Sequence, residues 1–328
     1  MGSVGVAIVF MSILGGILGL GLAIASKRFA VEVDPRQKEI LEALPGANCG
    51  ACGYPGCQGY AQALVEGEAE CTLCAPGGKE LVDEISKILG MEAGDLERKI
   101  AVVHCKGNEA NCSSDARYVG VDSCRACQIL AGGTKACTYG CLGFGDCVEV
   151  CPFGAIEIGK DKLPIVYPDK CTGCGKCVDA CPRNLIDLQL IEQKTHVLCS
   201  NKDKGAKANK VCKTACIACR KCVKTCPFDA IHVKNFLAVI DSFSCRNCGL
   251  FTEACPKNCI FDGAAEDRKQ AYIQNTCTGC GQCAEHCPTK AISGQEGSRH
   301  EVNPVKCVGC EACIEHCPVS AIVMRDNK

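Results

Sequence analysis

The chain has few aromatic residues and almost no net charge. Its 328 residues contain no tryptophan, and aromatic side chains make up only 5% of them. A sequence with so few large apolar rings does not predict a conventional large hydrophobic core. The formal net charge is -1, which argues against a nucleic-acid-binding face, because such faces are strongly basic. We therefore expect no nucleic-acid partner.

The chain also lacks the motifs of nucleotide-binding and nucleophilic enzymes. It contains no Rossmann or Walker A motif, because the glycines of GCLGFGDC lie between cysteines. No Cys-His or Ser-His pattern predicts a nucleophile. We therefore predict no catalytic residues and no complete site for NAD or flavin in this chain.

Cysteine is the residue in excess, with 35 copies, which indicates either a disulfide-rich secreted protein or a metalloprotein. The run from Val4 to Ala25 has no ionisable group and is long enough to cross a hydrocarbon layer of roughly 30 Å as a helix. Lys27 and Arg28 follow it, the reverse of a cleavable signal. The positive-inside bias predicts a single-pass anchor in the cell membrane, with the N-terminus outside and the rest cytoplasmic. A reducing compartment favours metal over disulfides.

A cysteine pattern recurs along the chain. Residues 171–182, 216–227, 277–288 and 307–318 each read C-x2-C-x2-C-x3-C-P. This is the ligand run of bacterial ferredoxins, in which three thiolates hold one cluster and the fourth reaches the other cluster of a pair. Zinc sites typically use two separated C-x2-C pairs, so dense tandem runs favour iron-sulfur clusters. Two further runs depart from the pattern: CTYGCLGFGDCVEVCP has wider gaps, and CRNCGLFTEACP carries Phe251 where the third cysteine belongs.

Each run ends in a Cys-Pro repeat that closes on isoleucine, as in CPFGAI, CPRNLI and CPFDAI. The six copies fall into three pairs, and each pair predicts one two-cluster module of short strands and helices around inorganic cores. We expect an α+β fold with a single N-terminal transmembrane helix, a small iron-sulfur domain and tandem two-cluster ferredoxin-like modules. The predicted ranges are 1–28 for the anchor, 29–103 for the four-cysteine domain, and 104–190, 191–263 and 264–328 for the three modules.

Exchanging the fourth cysteine between the two runs of a module gives the predicted ligand sets. The first module has Cys137, Cys141, Cys147 and Cys181 in one set and Cys151, Cys171, Cys174 and Cys177 in the other. The third module has Cys277, Cys280, Cys283 and Cys317 in one set and Cys287, Cys307, Cys310 and Cys313 in the other. The second module has one complete set, Cys216, Cys219, Cys222 and Cys255, and one incomplete set, Cys226, Cys245 and Cys248.

The incomplete set leaves its fourth ligand open. Cys259 is one candidate, although it occupies a small or apolar position of the Cys-Pro repeat, which favours its interpretation as a core residue. Cys199 and Cys212 are other candidates. Three thiolates alone predict a 3Fe-4S cluster or a cubane with a ligand that is not cysteine. In total the residues predict about seven clusters, mainly 4Fe-4S.

Ahead of the modules lies the stretch NCGACGYPGC, followed by CAPGG. It offers Cys49, Cys52, Cys57 and Cys74 as ligands, with Cys71 as a rival to Cys74. The anchor, this stretch and the modules together resemble the B-subunit family of Rnf complexes, the membrane-bound ferredoxin:NAD oxidoreductases that pump Na+ or H+. HCKGN and DKGAKANKVC match the long form of the family, so the resemblance covers nearly the whole chain.

This resemblance favours Cys74 over Cys71. It also implies that the chain accepts electrons from reduced ferredoxin and relays them to membrane and flavin-bearing subunits of the same complex. Two alternatives remain open: a polyferredoxin subunit of a membrane hydrogenase or formate dehydrogenase, and a zinc-stabilised interaction scaffold.

Three further features have two interpretations each. Cys105, Cys112, Cys124 and Cys127 form either another site or a set of structural cysteines. The lysine-rich tract at 201–213 is either a docking surface for an acidic ferredoxin or a solvated loop. His286 and His316 each precede the last cysteine of a run, where they either tune a cluster or are exposed helix residues.

Overall fold

The computed structural model describes residues 3–28, 34–94 and 97–326. Its first element is α1 (Ser3–Arg28). Residues Ile8–Arg28 of this helix have a mean hydropathy of 2.4, and their side chains are not buried against the rest of the chain. By length and composition the helix can span a membrane. The predicted apolar run from Val4 to Ala25 lies within it.

Three helices form the small domain that follows: α2 (Pro35–Ala43), α3 (Gly56–Glu66) and α4 (Gly78–Leu89). Short 3-10 turns, Cys71–Leu73 and Ala75–Gly77, connect α3 to α4. Helix α4 carries its apolar side chains on one face, and this face packs against Ile40 of α2 and Leu64 of α3. The same core contains two cysteines, Cys71 and Cys74.

Twelve short strands lie within the described residues. They are β1 (Lys99–Val103), β2 (Ile156–Ile158), β3 (Pro164–Val166), β4 (Ile186–Leu190), β5 (Thr195–Val197), β6 (Ile231–Lys234), β7 (Leu237–Ile240), β8 (Ile260–Asp262), β9 (Gln270–Ile273), β10 (Ile292–Ser293), β11 (Glu301–Val302) and β12 (Ile322–Arg325).

The strands pair in the same antiparallel way three times. In each group of four, the first strand pairs with the last and the two middle strands pair with each other: β1 with β4 and β2 with β3, then β5 with β8 and β6 with β7, then β9 with β12 and β10 with β11. Six strands begin at the isoleucine that closes a Cys-Pro repeat, and all six of these side chains are buried. The repeat therefore places one apolar side chain beside each pair of cysteine runs.

Strand β1 lies partly outside the range predicted for the first module. It begins at Lys99, which pairs with Leu190 at the end of β4. Because antiparallel pairing joins these two strands directly, the strand pairing begins five residues before the predicted boundary at 104.

The remaining helices are short. They are α5 (Cys124–Ala131), α6 (Asp146–Glu149), α7 (Lys176–Ala180), α8 (Gly205–Val211), α9 (Lys221–Thr225), α10 (Leu250–Glu253), α11 (Gln282–Glu285) and α12 (Ala312–Glu315). Six of them, all but α5 and α8, follow a residue in the left-handed region. Four of these six residues are glycine, whereas Arg220 and Glu311 hold the same conformation at φ 58° and 61° despite its steric cost for residues with a Cβ.

The mixed helix and strand content, with an apolar helix at the start of the chain, confirms the predicted α+β class. Each of the three strand groups has its own core. These cores combine the strand isoleucines with cysteines, as where Ile156 and Ile186 pack with Cys147 and Cys177. Large apolar side chains are few, so cysteine clusters occupy positions that aliphatic residues fill in an ordinary domain.

Candidate metal centres

All 35 cysteines are free thiols, and most of them line small cavities in groups. Among residues 3–28, 34–94 and 97–326, no three His, Cys, Asp or Glu side chains lie close enough together to bind a single metal ion.

The first group lies in the helical domain. Asn48 accepts a hydrogen bond from the Cys57 N–H at 2.8 Å, which holds the NCGACGYPGC loop against the start of α3. Cys74 follows the first 3-10 turn and lies close to Cys49, Cys52 and Cys57. Burial is the main factor that raises the pKa of the Cys74 thiol to about 11, and the three neighbouring thiols raise it further.

Cys71 has a different environment. Its thiol is buried, and it accepts a hydrogen bond from Ser86 Oγ of α4 at 3.7 Å. This side chain is therefore part of the packing between the turn and α4, while the Cys74 thiol lies with the three cysteines of the loop.

Three of the predicted ferredoxin-type sets come together as expected from the runs, and a fourth does so for three of its four members. Cys151, Cys171, Cys174 and Cys177 line one cavity, and Cys216, Cys219, Cys222 and Cys255 line another. In the last strand group, Cys277 and Cys280 lie beside Cys283, while Cys287, Cys307 and Cys310 lie beside Cys313. Cys317 packs in the same apolar cluster as Cys277 and Cys283.

Backbone N–H groups point at the sulfurs of these sets. The third residue after the last cysteine of each run has a positive φ, and this turn directs the next N–H back to the sulfur. Ala155 donates to Cys151 at 3.4 Å, Ala230 to Cys226 at 3.4 Å, and Ala291 to Cys287 at 3.2 Å. Such donors offset negative charge on cluster ligands.

The thiol environments fit a cationic metal core. Burial first, and neighbouring thiols second, raise the pKa of Cys177 and of Cys313 to about 12. Several buried thiolates close together would repel each other, so without a metal these groups stay protonated at neutral pH. The positive charge of iron compensates that repulsion, so each thiol can lose its proton when the metal binds. The donor set, all sulfur and closely grouped, is that of an iron-sulfur cluster.

The first module differs from the prediction at one cysteine. Cys141, Cys147 and Cys181 line one cavity as predicted, but its fourth cysteine is Cys124 and not Cys137. The carboxylate of Asp146 accepts hydrogen bonds from the N–H groups of Cys124, at 2.7 Å, and Arg125, at 3.0 Å. These bonds hold the start of α5 beside Cys147.

Cys137 lies instead beside Cys105 and Cys212, and Cys112 lies close to both Cys137 and Cys212. The sequence contains a signal for this difference. In a regular run, two residues separate the first cysteine from the second. Three residues separate Cys137 from Cys141, and five separate Cys141 from Cys147, so Cys137 does not have the spacing of a first ligand. Cys127 is fully buried and packs against Cys124 and Leu142.

The incomplete set is where the run predicts it. Cys226 and Cys245 lie close to Cys248, which also lies beside Cys310 of the last module. The ring of Phe251 is 2% exposed and packs in a cluster that contains Ile231 and Ile260. An aromatic side chain therefore fills the position that a ligand thiol takes in the other runs.

The three cysteines considered as a fourth ligand lie elsewhere. The Cys259 sulfur is 3.5 Å from the sulfur of Cys255, so Cys259 borders the complete set of the second module. Cys199 accepts a hydrogen bond from the Cys216 N–H at 3.3 Å. Cys212 pairs with Cys112 in an isolated antiparallel bridge.

The structure also places the two histidines and the lysine-rich tract. His286 and His316 are both exposed, and their rings stack on each other with centroids 3.6 Å apart. The lysine-rich tract is not only a loop, because Gly205–Val211 forms α8. A Cβ at Gly205 would lie 2.4 Å from the carbonyl oxygen of Ile217, so α8 packs directly on the loop that carries Cys216 and Cys219.

Known protein families match four parts of the chain. An Fe-S cluster family matches residues 44–76, and the LdpA Fe-S cluster-binding domain matches residues 146–192. Two families described as 4Fe-4S dicluster domains match residues 170–230 and 271–324. The match at 170–230 joins the second run of the first predicted module to the first run of the second.

Curated relatives extend over most of the chain. The B subunit of the Na(+)-translocating ferredoxin:NAD(+) oxidoreductase complex of Acetobacterium woodii is 45% identical, over 80% of this chain and 79% of its own length. The B subunit of the proton-translocating complex of Clostridium ljungdahlii is 45% identical over 79% and 93%. The B subunit of the ion-translocating oxidoreductase complex of Methanosarcina acetivorans is 41% identical over 75% and 94%. The chain therefore belongs to the B-subunit family of ion-translocating ferredoxin:NAD(+) oxidoreductase complexes, the Rnf complexes.

Proposed function

We propose that this chain is the electron-transfer subunit of a membrane-bound, ion-pumping ferredoxin:NAD oxidoreductase. It accepts electrons from reduced ferredoxin and relays them to the membrane and flavin-bearing subunits of the complex. The observation that carries the proposal is the series of cysteine sets in a chain at least 41% identical to three subunits of such complexes over most of its length.

Seven sets hold the clusters in this proposal. Six have four thiols: Cys49, Cys52, Cys57 and Cys74; Cys124, Cys141, Cys147 and Cys181; Cys151, Cys171, Cys174 and Cys177; Cys216, Cys219, Cys222 and Cys255; Cys277, Cys280, Cys283 and Cys317; Cys287, Cys307, Cys310 and Cys313. The seventh, Cys226, Cys245 and Cys248, has three and takes a 3Fe-4S cluster. When bound, the clusters supply one-electron acceptors and donors in series.

The chain's own residues bind these clusters and limit their contact with water. Nearly all of the 27 thiols in these sets are buried or half-buried, and only Cys219 and Cys280 are exposed. Backbone N–H donors at the Cys-Pro repeats stabilise the negative charge on the sulfurs, and their number tunes the potential of each site.

Helix α1 anchors the chain in the membrane in this proposal. Lys27 and Arg28 at its C-terminal end favour the cytoplasmic side for everything that follows. The N-terminus is then outside. Protease treatment of inside-out membrane vesicles should cleave the iron-sulfur domains, whereas right-side-out vesicles should protect them.

Electron entry has one favoured position, the surface around Cys219. Between residues 202 and 224 the chain has eight lysines and arginines but a single acidic residue, Asp203, although its overall charge is -1. An acidic ferredoxin is attracted to such a surface, and the attraction accelerates association. We define this basic face by Lys210, Lys213, Arg220, Lys221 and Lys224, all of which are exposed.

The basic face is continuous in space as well as in sequence. Helix α8 packs on the loop that carries Cys219, through the close approach of Gly205 to Ile217. Lys257 lines the cavity of the same cysteine set, and its Nζ donates to Asn209 Oδ1 of α8 at 2.7 Å. Cationic side chains therefore surround the exposed ligand, which is the edge of the site nearest to a docked donor.

Charge reversal tests this function directly. In the anaerobic complex, K221E with K224E should lower the rate constant for reduction by ferredoxin at least about tenfold at low salt and weaken its dependence on salt. The matched control is K290E with K306E in the last module, which should leave the rate unchanged. An unchanged rate in K221E/K224E would contradict entry at the basic face.

Loss of ferredoxin-driven NAD reduction is expected on removal of the chain from the complex; retention of full activity would contradict the whole function.

A further inference from the structure

Four cysteines that belong to no regular run meet in one cavity between the first and second strand groups. A fifth thiol, Cys199, also lines this cavity. The four that belong to no regular run and face one another are Cys105, Cys112, Cys137 and Cys212. They come from the HCKGN segment, the loop after it, the stretched run and the end of α8. Cys112 and Cys212 face each other in an isolated antiparallel bridge, and Cys137 lies close to Cys105, Cys112 and Cys212.

Gly107 leaves room at the centre of this group. A Cβ placed on Gly107 would lie 3.3 Å from the Cys212 sulfur, 3.5 Å from the Cys112 Cβ and 3.7 Å from the Cys105 sulfur. Three of the four cysteines therefore converge on the single point that a side chain at residue 107 would occupy. Glycine at this position keeps that space open.

Polar donors surround the group, as they do at the predicted cluster sites. Asn201 is 1% exposed, and its Nδ2 donates to the Cys137 sulfur at 3.4 Å. The Cys141 N–H donates to the Cys105 sulfur at 3.3 Å, and Thr214 Oγ1 lies 3.4 Å from the Cys212 sulfur. Lys135 Nζ donates to the Gly107 carbonyl at 2.7 Å, which brings a positive charge to the edge of the cavity. Together these groups suit thiolates that carry negative charge.

We propose that Cys105, Cys112, Cys137 and Cys212 hold a further 4Fe-4S cluster, in addition to the seven sites above. Four converging thiols with N–H donors are the donor set of a cubane. A structural zinc site also uses four thiolates, but it needs them around one ion, and no described group of this chain is that compact. The arrangement of the thiols, with Gly107 at their centre and N–H donors around them, therefore favours a cluster over a single zinc ion.

The site lies between the cysteine sets of the first and second modules. The Cys141 N–H bonded to Cys105 belongs to a ligand of the first module, and Cys199, at the edge of the same cavity, accepts the N–H of Cys216 in the second module. The site therefore bridges the two modules and closes the gap in the series of cysteine sets between them. This role rests on the proposed function, whereas the presence of the cluster does not.

Removal of single ligands tests the site through metal content. The full-length chain, purified anaerobically, is compared with C112A and C212A for iron and acid-labile sulfide. Each variant should lose about four iron and four sulfide per chain. The matched control is C199A, which removes a thiol at the edge of the same cavity and should keep all of the iron.

Unchanged iron in both C112A and C212A would overturn the proposal, and so would zinc released in place of iron. Loss of the same four iron in C199A, but not in C112A, would overturn this ligand set. If the variants do not fold, the count for the unaltered chain decides: eight sites give about 31 iron and seven give about 27, when one site has three irons. Full iron content without reduction by ferredoxin would contradict the proposed function alone.

Discussion

Phe251 shows how one residue changes a site within a repeated pattern. In the intact runs the corresponding position is a buried cysteine, as at Cys177, Cys222, Cys283 and Cys313. Here an aromatic ring is buried at the same place, close to Ile231. Removing a thiolate and filling its space leaves Cys226, Cys245 and Cys248 as a three-thiol site, for which a three-iron cluster is the matching form.

We therefore expect F251C to convert this site to a four-iron cluster. The variant should gain about one iron per chain, and the 3Fe-4S signal in the low-temperature EPR spectrum of the oxidised protein should disappear. F243C is the matched control, because Phe243 is 89% exposed on the same module and its replacement adds a thiol that faces solvent. An unaltered spectrum in F251C would contradict the three-iron assignment.

Cys71 and Cys74 are close in sequence but have different predicted roles, which single substitutions can distinguish. C74A should cost about four iron per chain, since it removes a thiol beside Cys49, Cys52 and Cys57. C71A should keep the iron and lower the free energy of unfolding by about 1 kcal/mol, as expected for a small loss of core packing. Iron analysis and thermal unfolding of both variants measure the two effects; iron loss in C71A with retention in C74A would reverse the assignment.

Residues in regular runs could be assigned from spacing, whereas isolated cysteines could not. Cys171, Cys174 and Cys177 follow the ferredoxin pattern, and the structure brings them together with Cys151. Cys124 has only Cys127 at the C-x2-C spacing and no further cysteines of the run. Its place depends on hydrogen bonds from its own N–H and that of Arg125 to Asp146, more than twenty residues away. A contact of that kind depends on tertiary structure and leaves no local signal in the sequence.

Strand β5 of the second strand group contacts the first group, where His104 bonds to the Val197 carbonyl. His196 of β5 is buried, with His104 and Asp187 as its charged neighbours. Burial, followed by the positive charge of His104, lowers the pKa of His196 to about 4, while Asp187 opposes the shift. The folded chain therefore holds this ring neutral at a pH where an unfolded chain would protonate it.

This shift predicts a loss of stability in acid. Between pH 6.5 and pH 4 the unfolded state binds the proton more strongly, so the stability due to neutral His196 falls as the pH falls. From pH 7 to pH 5 the loss is about 2 kcal/mol. H196Q should lack this part of the pH dependence in anaerobic thermal unfolding followed by circular dichroism. H232Q, at a histidine whose side chain is 43% exposed, is the control; equal pH dependence in H196Q and the unaltered chain would contradict the prediction.

Strands and helices differ in how far the sequence predicts them. The apolar run from Val4 to Ala25 predicts a helix, and α1 covers Ser3–Arg28. The isoleucine of each Cys-Pro repeat begins a strand, so the strand positions follow from the same repeat as the ligands. The sequence left the lysine tract with two interpretations, because α8 is too short to give a clear helical pattern. Its packing on Ile217 requires a glycine at position 205, and this requirement is visible only in the folded structure.

Contacts between the three strand groups join their cysteine sets into one series. His104 bonds to the Val197 carbonyl at 2.7 Å, and Lys106 to that of Asn258 at 3.1 Å, which connects the first group to the second. Arg246 pairs with Glu315 at 2.6 Å between the second and the third. The repeat itself predicts three modules, but it does not predict these junctions, where single cysteines such as Cys105 and Cys212 approach from distant parts of the chain.

Charge is distributed unevenly along the chain. The near-zero net charge conceals a basic segment at 202–224 and acidic residues around the cysteines of the last module, such as Glu285, Glu311 and Glu315. An acidic donor is attracted to the first surface and repelled by the second. Composition alone does not predict this uneven distribution, since acidic residues throughout the rest of the chain offset the basic segment in the sum.

Mössbauer spectroscopy of the full-length chain, enriched in 57Fe and purified without oxygen, tests the central claim most directly, because it counts every iron atom by the type of centre that holds it. The account predicts that nearly all iron belongs to 4Fe-4S clusters, with about a tenth in a three-iron cluster. Iron present mainly as single ions with four sulfur ligands, or a chain that carries zinc in place of iron, would contradict it.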